Sequence, residues 1–170
     1  QYRCPKKIMD IMNRLYYDNT LISGKDTDVS NSISFIHSNG VENEEENEIE
    51  AQEIMKIIMK SVKIDKKILI LSPYKRQVAV IQGKIDKIGF ANVDVTTVDK
   101  SQGNEADIVI LSLVKSRPTS FLDKKRSNVM ISRTKEKLIV LANRQNCLES
   151  PNSTLRILAK NKGFSNLKET

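Results

Sequence analysis

The sequence predicts an α/β domain with a mostly parallel sheet and helices on both faces. Three observations carry that expectation. The runs Ile68–Leu71, Ile108–Leu111 and Leu138–Leu141 are apolar without a break. Strands of that kind need cover on both faces, which an antiparallel, half-solvated sheet does not give. Segments with apolar residues at helical spacing fill the gaps between them, and the alternation of the two patterns is the signature of parallel crossover units.

Taken in order, the first element is a helix. Pro5 suits a first helical turn, and Ile8, Met9, Ile11, Met12, Leu15 and Tyr16 follow at helical spacing. Ile33–Ile36 is a short strand. Residues 48–61 set Ile49, Ile54, Ile57 and Ile58 on one side of a second helix. Ile68–Leu71 is a buried strand ending at Ser72-Pro73, a pair that reads as the cap and first residue of a helix. That helix, 74–88, repeats Val78, Ile81, Ile85 and Ile88 and stops at Gly89. Val93–Val98 is rich in β-branched residues and predicts a strand. It is followed by the strand 108–111, a short helix over Lys124–Thr134, the strand 138–141 and a further helix after Pro151. In such a sheet, ligands are expected at the carboxyl ends of the strands.

The chain of 170 residues has room for one domain with a core. Residues 1–150 are expected to form it, with 151–170 as its terminal helix and tail. No window approaches 18 apolar residues, so no membrane span is written here. Gln1-Tyr2-Arg3-Cys4-Pro5 carries no apolar stretch behind a basic start and no initiator methionine, which reads as a piece of a longer intracellular protein, cytoplasmic or nuclear. Two cysteines and the lone His37 exclude a disulfide framework and a four-ligand zinc site. Lysine and arginine number 28 against 21 acids, and six of those acids are glutamates between 41 and 50. Elsewhere 28 bases face 15 acids, a balance of +13 that fits a polyanionic partner. The acidic stretch itself reads as a solvated loop running into a helix N-terminus.

Four clusters sit at predicted element ends: Gln1-Tyr2-Arg3; Ser72-Pro73-Tyr74-Lys75-Arg76-Gln77; Thr97-Val98-Asp99-Lys100-Ser101-Gln102-Gly103-Asn104-Glu105; and Asn128-Val129-Met130-Ile131-Ser132-Arg133-Thr134. Each alone has a plain structural explanation: a turn, a cap or a surface ion pair. Together, and in this order, they resemble the second RecA-like domain of superfamily 1 helicases, in the branch of the nonsense-mediated-decay helicase. QYRCP stands where the family has Q-Y-R-M-H-P, and its shortened form is closer to the nidovirus helicases. SPYKRQ matches T/S-P-Y-x-x-Q. TVDKSQGNEADIVILS and RSNVMISRT match the two longest family motifs, with Met130 and Thr134 in place of the usual alanines. The resemblance covers residues 1 to about 150 and implies a RecA-like three-layer fold.

The resemblance also implies roles. Such helicases bind ATP with Mg²⁺ between two RecA-like domains, and the first domain holds the phosphates and the metal. These 170 residues contain no G-x-x-x-x-G-K-[ST] loop, so the chain by itself is expected not to hydrolyse ATP. Arg3 and Arg133 are the guanidiniums expected to stabilise the transferring γ-phosphoryl, which planar, forked donors do well. Gln1, Tyr2, Gln102, Gly103 and Glu105 are implied on the nucleotide side, with Tyr2 stacking on the base. Ser72, Tyr74, Thr97 and Asp99 are implied at the track of a single-stranded RNA or DNA. Lys75, Arg76, Lys100 and Lys115 either add attraction blind to sequence or stand as solvated charges on helix and loop surfaces. The partners implied are that single strand and the first RecA-like domain of the same parent. The alternative is a non-catalytic module derived from a helicase half, which would have no use for γ-phosphate ligands.

Overall fold

The computed structural model describes residues 5–16, 32–61, 65–116, 122–160 and 164–166. The elements are α1 (Lys6–Tyr16), β1 (Ile33–His37), α2 (Glu48–Ser61), β2 (Ile68–Ser72), α3 (Lys75–Ile88), β3 (Val93–Thr97), β4 (Ala106–Ser112), α4 (Lys124–Ser132), β5 (Thr134–Ala142), α5 (Arg144–Glu149), α6 (Ser153–Ala159) and β6 (Phe164–Asn166). The strands form one six-stranded sheet in the order β3-β2-β4-β5-β1-β6. Every pairing in it is parallel.

The continuous apolar runs explain the layering. Successive side chains of a strand point to opposite faces. Leu69, Leu71, Val109, Leu111, Leu138 and Val140 therefore enter one core, shared with Ile8, Met9, Met12, Met130 and Leu158. Ile68, Ile70, Ile108, Ile110, Ile139 and Leu141 enter the other, shared with Ile54, Ile58, Ile81 and Ile85. Helices α1, α4 and α6 thus cover one face and α2 and α3 the other, so the sheet is sandwiched as a RecA-like fold requires.

Helix ends follow local chemistry. Asp123, Asn143 and Asn152 cap α4, α5 and α6 by accepting backbone N–H groups. Gly89 closes α3 in the left-handed region (φ +82°), donating its N–H to Ile85 O. Ser72-Pro73 does not start α3 in the way the sequence suggests. Tyr74 is its N-cap, and the serine hydroxyl accepts the Tyr74 N–H at 3.3 Å. Helix α5 and strand β6 had no sequence-based expectation. The helix expected over Lys124–Thr134 ends at Ser132, and Thr134 already belongs to β5.

Both strands flanking β2 come from one short connection. Residues 98–105 leave β3 at the carboxyl edge and enter β4 at the amino edge, crossing β2 without a helix. Val98 and Ala106 anchor the two ends of this connection in the α1/α4 core. Ser101, fully buried, ties its middle by donating to Val98 O at 2.7 Å.

Candidate nucleotide and single-strand site

The candidate residues divide between the two edges of the sheet. Gln102, Gly103 and Glu105 precede β4, and Arg133 precedes β5, so these four share the amino edge of two adjacent strands. The Ala106 N–H donates to Arg133 O at 3.1 Å, which fixes the two loops against each other. Ser72, Tyr74 and Thr97 lie instead at the carboxyl edge, where Ser72 and Thr97 are paired in register. The residues implied on the nucleotide side thus lie away from the carboxyl ends, where the sequence places ligands in general. The short connection 98–105 returns that motif to the opposite edge.

At the amino edge, Gln102, Gly103 and Glu105 are exposed. Gly103 adopts φ +84°, a left-handed conformation that glycine takes without steric cost, and a Cβ there would meet only open space. Arg133 is half-buried, and its Nε is buried with no hydrogen-bond partner among the described residues. A buried N–H donor without an acceptor carries a desolvation cost, which sets Arg133 apart from the paired arginine Arg126. Arg3, Gln1 and Tyr2 lie outside the described residues. Helix α1, which follows them, packs against α4, the helix that leads to Arg133.

Asp99 is exposed, and its carboxylate is taken by Arg126 of α4 in a forked pair, at 2.8 Å from Nε and 3.2 Å from Nη2. The Arg126 hydrogen bonds hold the Asp99 carboxyl below the usual aspartate range. Arg126 also pairs with Asp123 at 3.3 Å. Asp99 thus ties the 98–105 connection to the start of the helix that ends at Arg133. The sequence reading left Arg126 unassigned.

At the carboxyl edge Ser72 is fully buried, Thr97 is 8% exposed and Tyr74 is 9% exposed. Lys115 sits with Nζ 5.4 Å from the Tyr74 ring centroid, within cation–π range. Lys75 and Arg76 are exposed on the first turn of α3.

Beneath this edge lies a buried polar network that includes Asn47 and Glu50 from the stretch the sequence reading placed in solvent. Glu50 is fully buried, not solvated, and Asn47 is 4% exposed. Glu50 accepts from the Ser38 hydroxyl, from the Ser112 hydroxyl at 2.6 Å and from the Val114 N–H at 3.1 Å. Gln77, the last residue of SPYKRQ, donates to Ser112 Oγ at 2.9 Å and to Asn47 O at 3.1 Å. Its carbonyl accepts the Asn47 N–H at 2.7 Å. Burial raises the Glu50 carboxyl from the ordinary value near 4.5 to about 7 against the pull of its three donors. Burial, with Glu50 nearby, pushes the Cys147 thiol up to about 12. The described residues contain no cluster that could hold a metal ion, and none of their helices is long and apolar enough to cross a membrane.

A parallel sheet sandwiched between two helical layers is the architecture of a RecA-like domain. The chain belongs to a family described as an AAA domain, whose model matches residues 1–145, and it is the second RecA-like domain of a superfamily 1 helicase. It is 30% identical to an uncharacterized ATP-dependent helicase of Methanocaldococcus jannaschii, over 84% of this chain and 26% of the relative. It is 28% identical to the DNA replication ATP-dependent helicase/nuclease DNA2 of Xenopus laevis, over 88% of this chain and 19% of the relative. The chain therefore spans about a quarter or less of these relatives. In fold it is similar to the C-terminal domain of a possible DNA helicase from Lactobacillus plantarum, with TM-score 0.61, 12% identity and 98% of each chain covered.

Proposed function

We propose that this domain is the second wall of an interdomain ATP site in an ATP-dependent helicase or translocase, and that its carboxyl edge forms part of the single-strand track. The observation that carries this reading is Arg133, whose backbone is tied to the end of the Gly103–Glu105 loop through the Ala106 N–H and whose buried Nε is unpaired among the described residues. A guanidinium held there can fork across two oxygens of a transferring phosphoryl group, and such an arginine contributes ~10³–10⁵ to turnover. Arg3 is the second guanidinium of this reading, and Gln1 and Tyr2 belong to its base-side contacts. ATP with Mg²⁺ is the substrate, and the metal belongs mainly to the P-loop half, since no phosphate loop is written in this chain. Gly103 brings backbone close to the nucleotide, while Glu105 suits a ribose hydroxyl.

On the track, Thr97 and the turn that Ser72 holds under Tyr74 grip phosphates and read no bases. Asp99 acts there by orienting the connection through Arg126. The relatives' names cite DNA, so single-stranded DNA is the first substrate to test, with RNA beside it.

The test is Arg133→Ala in the full-length protein. Nucleic-acid-stimulated ATP turnover falls by on the order of 10³ while nucleotide affinity changes far less, because the charge matters most as the phosphoryl group transfers. Equal turnover of variant and wild type removes Arg133 from the site.

A further inference from the structure

The segment after β4 contains a backbone conformation that a branched residue avoids. Val114 has φ +67°. It is the centre of a γ-turn in which the Lys115 N–H donates to Leu113 O at 2.7 Å. A β-branched residue at positive φ is strained, and such strain persists only where surrounding contacts over-determine it.

Those contacts come from every side. The Val114 N–H donates to Glu50 Oε2 at 3.1 Å, and Asn47 Nδ2 donates to Val114 O at 3.3 Å. The Val41 N–H donates to the same carbonyl at 2.9 Å, and the Ser116 N–H returns to Val41 O at 2.9 Å. Gly40 lies so close that a Cβ on it would stand 2.6 Å from Ser116 N. Asn146 of α5 donates to Lys115 O at 3.3 Å. Four backbone groups of three consecutive residues are thereby fixed, and the Lys115 side chain is what the turn presents. It lies past the carboxyl end of β4 and over the Tyr74 ring, on the same edge of the sheet as Thr97 and Ser72.

We infer that the Leu113–Lys115 turn is a positioning device, with Glu50 as its buried anchor, that aims the Lys115 ammonium at a phosphate of the bound single strand. The inference rests on the proposed single-strand track; it turns Lys115 from a candidate for diffuse attraction into a fixed phosphate contact and adds one positioning residue, Glu50. Glu50 has no route to the strand itself, being fully buried. Its effect passes through the Val114 N–H. A folded scaffold alone would not need the strained turn, since a relaxed loop closes the same distance at lower cost.

The experiment measures affinity of the full-length protein for a dT homopolymer and a mixed-sequence strand across a salt series. Lys115→Ala weakens both strands alike and lowers the salt slope by about 0.7, the loss of one phosphate contact on a single strand. Glu50→Ala produces the same loss of slope, and the double variant Glu50→Ala/Lys115→Ala loses no more than either single. Glu50→Gln at pH 8 retains the wild-type slope, because the amide oxygen still accepts from Val114. Asn146→Ala loosens the turn from its other side in a milder way. It lowers the slope less, and not at all in the Lys115→Ala background, so the reading stays testable if Glu50→Ala does not fold.

A slope unmoved by Lys115→Ala overturns the inference while leaving the track in place. Slope losses that add in the double variants overturn it as well. Absence of any single-strand binding by the wild-type protein overturns the track and the inference together.

Discussion

Replacing Glu50 by glutamine should reshape how the stability of the domain depends on pH. The carboxyl is fully buried and its pKa is raised from near 4.5 to about 7, chiefly by desolvation. In the unfolded chain it ionises at the ordinary value. Its contribution to stability is therefore fully present below pH 4.5, where both states hold the proton. It is lost as pH rises to about 7, because the unfolded state has by then released a proton that the folded state keeps. The raised value corresponds to about 3 kcal/mol lost by pH 8. Glutamine has the same shape, accepts from Val114 and never ionises. Relative to its offset near pH 4.5, the variant should gain on the wild type progressively above that pH, by up to about 3 kcal/mol at pH 8. One amide N–H without a second acceptor displaces the whole curve by a constant, so the pH dependence of the difference is the diagnostic quantity. The assay is urea unfolding of the 170-residue chain from pH 4.5 to 8, with an unchanged m value confirming that the same surface is exposed. Parallel stability curves for Glu50→Gln and wild type would refute the reasoning, since they would mean that Glu50 titrates as an ordinary surface acid.

Three further outcomes are expected. The 170-residue chain should show no ATP turnover above background, with or without a single strand, and measured turnover would contradict the need for a second domain. Asp99→Arg and Arg126→Asp should each depress strand-stimulated ATPase of the full-length protein, and the swapped pair should recover part of it. No recovery means that the pair does not couple the connection to α4. Thr97→Ala should weaken binding to all strand sequences alike with little change in salt slope, whereas neutralising Lys75 or Arg76 lowers the slope if either touches a phosphate. A base preference that Thr97→Ala abolishes would show that this edge reads sequence.

The fold was legible where burial is two-sided. Ile68 and Ile70 enter one core while Leu69 and Leu71 enter the other, so an unbroken apolar run is the only pattern such a strand can carry. Short elements left no comparable trace. Strand β6 is three residues at the sheet edge, paired only to β1. Helix α5 has six residues, and Cys147 alone among them is buried, which is too few for a period. The start of α3 falls within one residue of the expected 74, but its cap was misread because Ser-Pro has two uses: it caps helices, and here it makes the turn before one, with Tyr74 as the cap.

The site divides in the same way, into what is local and what is not. The motifs that carry Gly103, Glu105 and Arg133 are contiguous, so the sequence displays them. Which edge of the sheet they occupy depends on a helix-free crossing over β2, which no local pattern encodes. Glu50 was hidden more completely. It stands in a run of glutamates, and Asn47-x-x-Glu50 has the spacing of a capping box, in which the acid turns back to the cap's own N–H. In the structure Gln77 accepts that N–H, and Glu50 turns outward to partners 12, 62 and 64 residues away. The carboxyl edge thus satisfies its buried charge from within the domain. The amino edge does not. Among the described side chains whose buried polar atoms lack a partner, Arg133 is the only charged one. An ionised group can be neutral in cost only when an acceptor meets it. At the carboxyl edge the acceptor and its donors are all encoded in this chain; Arg133 Nε has no such partner among the described residues, which supports the proposal that this arginine serves a phosphate site shared with a second domain.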